Sequence, residues 1–213
     1  MPINSLIFDL DGTLIDSSDG VVEAVNFAFR QMGLPECPPE IIKPYIGYPL
    51  MGMFADLTDA PADQLYHHFQ ARAITSVLDS ARMLDNVAPT LHEIRKRGYK
   101  MAIATTKIRV HVDAIVEKFG WQDIFDASVA GNEVSQVKPH PEAIRLAISR
   151  LGATAADSLV IGDTENDILA AQGVPTRVVA VNSPYGGHEK VIALKPDFVV
   201  TKLAELIQIL ERV

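Results

Sequence analysis

The sequence has little of what marks an exported, membrane-spanning or disulfide-bonded chain. Cys37 is the only cysteine among 213 residues, which excludes an internal disulfide and is typical of a reducing compartment. No apolar run approaches the roughly 20 residues that cross a bilayer. No basic segment followed by an apolar stretch and a small-residue cleavage site is visible. We therefore expect a cytoplasmic protein without a membrane partner.

An excess of positive charge is also missing. The formal net charge is −8, from 27 acidic and 19 basic residues, whereas a nucleic-acid-binding surface needs a basic face. The sequence therefore predicts no nucleic-acid partner. Any site for an anion would need local positive charge from a metal ion, a lysine or a helix N-terminus.

The chain does contain enough apolar sequence for a substantial core, with 48% apolar and 22% charged residues. From residue 83 onward, short β-branched runs alternate with amphipathic helical stretches, and residues 5–8 form a run of the same kind. This alternation predicts an α/β fold in three layers, a Rossmann-like parallel sheet with helices on both faces. The later strands are predicted at 99–105, 126–131, 158–163, 176–181 and 197–200, and the helices at 88–97, 107–119, 139–151, 165–172 and 201–212.

Residues 16–82 show no strand pattern. A plain loop of ~65 residues would be unusual in a compact domain, and helical patterns occur at 21–33, 39–47 and 62–79. We therefore predict an inserted all-helical cap domain over 16–82. Because it leaves the sheet at the edge where parallel α/β folds bind ligands, it could cover a site there. The core would consist of residues 1–15 and 83–213.

Carboxylates stand at the predicted carboxyl ends of two strands. Asp9 and Asp11 follow the first apolar run, and Asp163 ends a later one. Residues two apart on an extended segment point to the same side, so we expect the carboxylates of Asp9 and Asp11 to lie together. Carboxylates this close repel each other unless a cation lies between them, and Mg²⁺ binds one or two carboxylates together with phosphate oxygens. Gly12 lets the backbone approach a ligand, and Thr13 adds a hydroxyl. Solvated Asx turns or helix capping are the alternatives, but capping explains an acid after only one strand.

Other polar residues follow strand ends or precede helices. Lys138 stands just before a proline-initiated helix and could neutralise an anion, although an isolated lysine is usually a solvated loop residue. Thr105 and Thr106 end the "MAIATT" strand, where hydroxyl and backbone N–H groups could hold phosphate oxygens. We expect Lys107 and Arg109, which follow, to be solvated helix residues rather than ligands.

Four short segments occur in a fixed order along the chain, namely DLDGT, IATT, VKP and GDTEND. Together with the helical insertion after the first segment, they resemble the haloacid dehalogenase superfamily, specifically its phosphatases of the phosphoglycolate phosphatase type. The likeness covers essentially the whole chain. It implies a Mg²⁺-dependent phosphatase that hydrolyses a small phosphorylated metabolite, such as phosphoglycolate, through an aspartyl-phosphate.

The resemblance also implies individual roles. Asp9 would attack phosphorus, while Asp11 would protonate the leaving oxygen and later activate the hydrolytic water. The Asp9 carboxylate, the Asp11 backbone carbonyl and Asp163 would bind Mg²⁺. Thr105 would hydrogen-bond the phosphoryl group, and Lys138 would stabilise its negative charge.

The remaining assignments concern the substrate and the supporting residues. Asp167 matches the last acidic position of the family and would support the site. The segment YIGYPL at 45–50 resembles the Gly-x-Pro stretch with which the family's cap approaches the substrate. The predicted substrate-binding residues are Gly12, Thr13, Thr106 and Lys43, the last being the candidate cation of the cap.

Two departures from the family pattern limit what the resemblance implies. Residues 85–87 read Asp-Asn-Val where relatives usually have Pro-Gly-Val, which concerns the hinge of the cap. Thr106 stands where many relatives have an asparagine that often helps to bind the phosphoryl group or substrate. The substrate therefore stays open, as does the choice between a monomer and a homodimer.

Alternative functions remain at this point. An inorganic pyrophosphatase or a sugar phosphomutase of the same family would use the same aspartates. The dehalogenase branch needs no metal and lacks an acid at the position of Asp11, which argues against it. A non-catalytic metal-binding or phospho-receiver module also gathers aspartates around Mg²⁺, but it would be shorter and would lack the helical insertion.

Overall fold

Eight strands, ten α-helices and four short 3-10 helices make up the regular structure of residues 2–213, the part of the chain that the computed structural model describes. None of these helices is both long and apolar enough to cross a membrane. The strands are β1 (Ser5–Phe8), β2 (Ile15–Asp16), β3 (Arg82–Met83), β4 (Lys100–Ala104), β5 (Ala127–Val129), β6 (Ser158–Gly162), β7 (Arg177–Val181) and β8 (Phe198–Val200). The helices are α1 (Ser18–Gln31), α2 (Pro39–Ile42), α3 (Leu50–Leu57), α4 (Ala62–Ser80), α5 (Val87–Lys96), α6 (Arg109–Phe119), α7 (Glu142–Leu151), α8 (Glu165–Gln172), α9 (His188–Ala193) and α10 (Leu206–Leu210).

Six of the strands form one parallel sheet in the order β5-β4-β1-β6-β7-β8. Strand β1 pairs with β4 on one side and with β6 on the other, so the strand order reverses beside it. All four residues of β1 are buried, as expected for a parallel strand that is covered on both faces. The predicted α/β class with a parallel, Rossmann-like sheet is confirmed. The reversal places a ligand site beyond the carboxyl end of β1.

Different helices cover the two faces of the sheet. Leu6 and Phe8 of β1 belong to a hydrophobic cluster with side chains of α5, α6 and α10. Ile7 belongs to a second cluster with side chains of α7 and α8. Successive side chains of a strand point to opposite faces, so this one short strand contributes to both clusters.

Helices α1 to α4 enclose a third hydrophobic cluster of their own. Helices α1 and α4 pack closely, and a Cβ atom at Gly20 would lie only 2.1 Å from the carbonyl oxygen of Ser76. On α3, the Phe54 ring lies between Phe29 and Phe69, with centroid distances of 6.5 and 6.2 Å. The segment predicted as helical is therefore helical. Its boundaries as a separate domain stay a prediction.

Three features of the chain around this insertion were not predicted. Strands β2 and β3 pair antiparallel where the chain enters and leaves the insertion, and two residues each are too few to show an alternating pattern. Helix α3 was missed because prolines and glycines surround it, yet Pro49 lies immediately before the helix, where no N–H is needed. Asn86 adopts φ of 63° before α5, a left-handed conformation that asparagine tolerates better than most residues.

Candidate active site

The loop after β1 arranges the two aspartates differently from the sequence-based prediction. The strand ends before Asp9, and the Leu14 N–H donates to the Leu10 carbonyl at 2.9 Å, which bends the chain. Gly12 takes φ of +83° in this turn. Asp9 and Asp11 are therefore not on one extended segment, and their carboxylates have different neighbours.

Lys138 connects the first aspartate with the start of α8. Its Nζ donates to Oδ1 of Asp9 at 2.5 Å, to Oδ1 of Asp167 at 2.5 Å and to the Ala104 carbonyl at 2.9 Å. The side chain is only 2% exposed. Burial disfavours its charge, but Asp167 and Asp9 hold the pKa of Lys138 above its ordinary value. The lysine therefore stays charged inside the protein.

Asp9, the partner of Lys138, is also buried. Burial raises the pKa of its carboxyl to about 7, although Lys138 opposes the rise. Repulsion from Asp167 and Asp11 adds to the rise. Without Lys138, the Asp9 carboxylate would be an uncompensated buried charge, which is strongly unfavourable.

Asp163 follows β6 and has one unsatisfied oxygen. Its Oδ1 accepts a hydrogen bond from Thr13 Oγ1 at 3.0 Å, whereas its buried Oδ2 has no partner within residues 2–213. Burial, with repulsion from Asp9 and Asp167, raises its pKa well above the ordinary range. A Cβ atom at Gly12 would lie 2.0 Å from this Oδ2. The backbone at Gly12 and the Asp163 carboxylate are thus in close contact.

The acidic cluster suits a hard divalent cation. One carboxylate oxygen each from Asp9, Asp163 and Asp167 lie within 4.8 Å of one another, and all three residues are buried. The three carboxylates outnumber their single lysine, and the free Oδ2 of Asp163 is an oxygen ligand of the kind that Mg²⁺ binds. The donor set therefore fits Mg²⁺. The Asp167 carboxylate joins this cluster, while its Oδ2 accepts hydrogen bonds from the N–H and Oγ1 of Thr164.

The Asp11 carboxylate points to two other neighbours. Ser17 Oγ donates to its Oδ1 at 2.5 Å, and Lys107 Nζ lies 2.8 Å from its Oδ2. The Lys107 side chain is only 10% exposed, so the prediction of a solvated helix residue is wrong. The reason is tertiary: Lys107 precedes α6 and turns toward the aspartate loop. Ser17 is the N-cap residue of α1 but makes no capping hydrogen bond with its side chain, and the Ser18 N–H donates to Asp16 Oδ1.

The two threonines after β4 occupy different environments. Thr105 is 2% exposed, and its Oγ1 accepts the Lys107 N–H at 3.2 Å. Thr106 is half-buried and lines a cavity. Arg109 donates to Asp113 and Ser128, and within residues 2–213 it makes no hydrogen bond to the aspartates of the site.

A cavity of about 300 Å³ lies between the helical insertion and the sheet. Asp11, Thr106, Lys107 and His111 line it from the sheet side, and mainly apolar or aromatic side chains, with Gln70, line it from the insertion. Lys43 lies outside the lining, and its Nζ pairs with the exposed Asp19 at 3.2 Å. The structure therefore brings all the predicted site residues except Lys43 close to the end of β1 or the cavity beside it.

The segment 45–50 contacts the start of α8. Tyr48 Oη donates to Glu165, and Asn166 Nδ2 donates to the Gly47 carbonyl at 3.3 Å. At Gly47, φ is +90°, and a Cβ atom would lie 2.8 Å from Cγ2 of Thr164. The environments of Tyr48, Ser17, Lys107 and His111 could not be predicted from the sequence, because each depends on how the chain folds around the residue.

A parallel α/β sheet with buried acids at the carboxyl ends of its strands is typical of a class of hydrolases, and comparison with known families identifies that class. The family described as haloacid dehalogenase-like hydrolase matches residues 6–181. The chain therefore belongs to the haloacid dehalogenase-like hydrolases, as the sequence motifs predicted.

Curated relatives extend over the full chain. Pyrophosphatase PpaX of Bacillus mycoides (strain KBAB4) is 31% identical over 216 residues, which cover 100% of this chain and 99% of the relative. Pyrophosphatase PpaX of Bacillus cereus (strain AH820) is 30% identical over 210 residues, which cover 99% and 97%.

Solved structures of other proteins have the same fold over nearly the whole chain. A provisionally assigned haloacid dehalogenase-like hydrolase from Bacteroides fragilis aligns with a TM-score of 0.90 at 27% identity, over 96% of this chain and 99% of its own. A structure described as a predicted phosphoglycolate phosphatase from Haemophilus somnus aligns with a TM-score of 0.86 at 26% identity, over 97% of each chain.

Proposed function

We propose that this hydrolase is a Mg²⁺-dependent phosphatase that cleaves a small phosphorylated metabolite through an aspartyl-phosphate on Asp9. The observation that carries the proposal is the buried Lys138–Asp9 contact inside a cluster of three carboxylates. A structural ion pair alone would not need two further buried acids or the free oxygen of Asp163. Phosphoryl transfer through an aspartyl-phosphate needs a carboxylate nucleophile and positive charge concentrated beside it.

In the first step, an Asp9 carboxylate oxygen attacks phosphorus, and the bond from phosphorus to the leaving oxygen breaks. Lys138 holds Asp9 in position and offsets the negative charge that gathers on the phosphoryl oxygens. Thr105 and the backbone N–H groups near Gly12 and Thr106 are the proposed contacts of those oxygens, with Thr13 holding Asp163 in place.

Asp11 is the proposed acid and base. It gives a proton to the leaving oxygen and then takes one from the water that attacks phosphorus, which releases phosphate and restores Asp9. Its position at the wall of the cavity suits this role, because a leaving group in the cavity would lie beside it. Lys107 and Ser17 fix the orientation of its carboxylate.

Asp9, Asp163 and the Asp11 backbone carbonyl would hold the metal ion, with Asp167 in a supporting position. When bound, Mg²⁺ would neutralise the carboxylates and the phosphoryl oxygens, which lowers the barrier to attack by an anionic nucleophile. We further propose that residues 16–82 act as a cap over a core of residues 1–15 and 83–213, with the 45–50 segment closing on α8.

A pyrophosphatase is the second candidate. It is favoured by the curated relatives, which are named pyrophosphatases and match nearly the whole chain at 30–31% identity. The reacting groups would be the same, and only the leaving group would differ. Phosphoglycolate is supported in the same way by the name of one structural relative.

The test is phosphate release from a panel of monoesters and from pyrophosphate, with and without Mg²⁺, for the wild type and Asp9→Asn. We expect release by the wild type only with Mg²⁺, and none by a folded Asp9→Asn variant. Metal binding without hydrolysis of any compound would instead favour a non-catalytic module.

A further inference from the structure

The charged side chains that line the cavity beside Asp11 are paired with each other. Among the described residues that line it, Asp11 and Lys107 are the only carboxylate and the only lysine or arginine, and they lie 2.8 Å apart. His111, on the same wall, has a pKa lowered to about 4, mainly by burial and further by Lys107. At neutral pH its imidazole is uncharged. The lining therefore has no unpaired cation for an anionic group.

The opposite wall of the cavity is apolar and aromatic. The helical insertion supplies Leu50, Met51, Tyr66 and Phe69 to this wall, together with one uncharged amide, Gln70, whose Nε2 donates to Tyr66 Oη at 3.0 Å. A volume of about 300 Å³ is at the lower end of the range for small-molecule sites. Burying an anion against such side chains without a partner is unfavourable, whereas burying a ring or an alkyl group is favourable.

One polar group in this lining lacks a partner. His111 is 8% exposed, and within residues 2–213 its buried Nε2 makes no hydrogen bond. Buried ring nitrogens are nearly always hydrogen-bonded, so an unpaired one at the wall of a cavity indicates a place that a ligand completes. A neutral imidazole can donate or accept there, depending on its tautomer.

We propose that this cavity is a subsite for an uncharged, partly apolar leaving group, and that His111 is a specificity-determining residue that hydrogen-bonds its polar substituent. This rests on the proposed phosphatase function and narrows its substrate class to phosphate monoesters of neutral hydroxyl compounds. Asp9 takes the phosphoryl group, the ester P–O bond breaks, and Asp11 protonates the departing oxygen. A neutral alcohol or phenol then remains in the cavity, whereas pyrophosphate or a hydroxy-acid ester would leave an anion there.

Two aryl phosphates of nearly equal shape test whether the cavity prefers an uncharged leaving group. They are 4-carbamoylphenyl phosphate, whose leaving group carries a neutral amide, and 4-carboxyphenyl phosphate, which carries a carboxylate. We expect kcat/KM to be higher for the amide by about tenfold or more, and pyrophosphate to be a poorer substrate than the amide. Equal or better turnover of the carboxylate, or a preference for pyrophosphate, would overturn the proposal while leaving the proposed function intact.

The role of His111 is tested with phenyl phosphate, which lacks the substituent. His111→Leu should lower kcat/KM for the carbamoyl ester by about tenfold and change that for phenyl phosphate by less than about twofold. Inhibition by inorganic phosphate should not change. His92 is exposed on α5, and the control variant His92→Leu should change kcat/KM for neither ester. An equal loss with both esters would make His111 merely structural.

If His111→Leu does not fold, a conservative variant tests the same assignment. His111→Gln keeps a hydrogen-bonding group at the wall of the cavity, and we expect it to retain most of the preference for the carbamoyl ester over phenyl phosphate. Loss of that preference in a folded His111→Gln variant, with both esters still turned over, would overturn the hydrogen-bond assignment. If the wild type hydrolyses no ester and no pyrophosphate, the proposed function itself fails.

Discussion

Lys138 Nζ donates a hydrogen bond to Oδ1 of Asp9 at 2.5 Å, which joins residues 129 positions apart in the chain. The pair is almost completely buried, so each charge depends on the other. Removing one partner of a buried ion pair leaves an uncompensated charge and is far more damaging than the pair itself is stabilising. The contact therefore serves both the stability of the core and the proposed chemistry.

Lys138→Met should remove the buried ion pair with Asp9. We expect kcat to fall by about a thousandfold or more, because the charge opposite the phosphoryl group is lost, and the free energy of unfolding to fall by about 3 kcal/mol. Steady-state kinetics and urea unfolding measure the two effects. Lys100→Met is the control, since Nζ of Lys100 donates to the Leu151 carbonyl and lies away from the site. Wild-type turnover in Lys138→Met would contradict the assignment.

Gly12→Ala should block the metal site. The new Cβ atom would lie 2.0 Å from Asp163 Oδ2, and the residue has φ of +83°. Gly98 has nearly the same φ, +84°, with open space around it, so Gly98→Ala carries the backbone strain, about 1–2 kcal/mol, without the clash. We expect only Gly12→Ala to lose activity, by about a hundredfold or more. Similar activities of the two variants would show that Gly12 serves only the turn.

Asp163→Asn should weaken the response to metal. The change removes a carboxylate charge from the cluster, and we expect the Mg²⁺ concentration for half-maximal activity to rise by about tenfold or more. Asp157, a buried aspartate at the opposite end of β6, provides the control variant Asp157→Asn. Its Mg²⁺ titration should match that of the wild type. An unchanged titration in Asp163→Asn would remove this residue from the proposed ligands.

Glu133 should contribute to stability in a pH-dependent way. Burial acts to raise its pKa, but Arg150, the Ala130 N–H and Arg109 lower it from 4.5 to about 2. Because the folded-state pKa is depressed, the contribution is fully present above about pH 5 and is lost as the pH falls toward 2. Glu133→Gln should therefore reduce the free energy of unfolding at pH 7, by about 1–2 kcal/mol, and much less at pH 2.5. Urea unfolding at the two pH values measures this, and an equal loss at both would contradict the assignment.

The sheet could be predicted because its strands are buried on both faces and therefore read as continuous apolar runs, as in Leu6–Phe8. The acids could be found because Asp9 and Asp163 follow such runs directly. The environment of Asp11 could not be predicted, since Lys107 reaches it from another loop and resembles any lysine beside a helix. His111 gave no signal at all, because its unpaired nitrogen is a property of the fold around it.

Trapping the phosphorylated nucleophile tests the proposed role of Asp9 directly. Borohydride added during turnover of 4-nitrophenyl phosphate with Mg²⁺ reduces an aspartyl-phosphate to homoserine, and peptide mass spectrometry then locates the change. We expect homoserine at position 9, dependent on both substrate and Mg²⁺, and none in Asp9→Asn. Modification of another carboxylate, or active turnover with no modified residue under conditions where a control aspartyl-phosphate enzyme is trapped, would contradict this role.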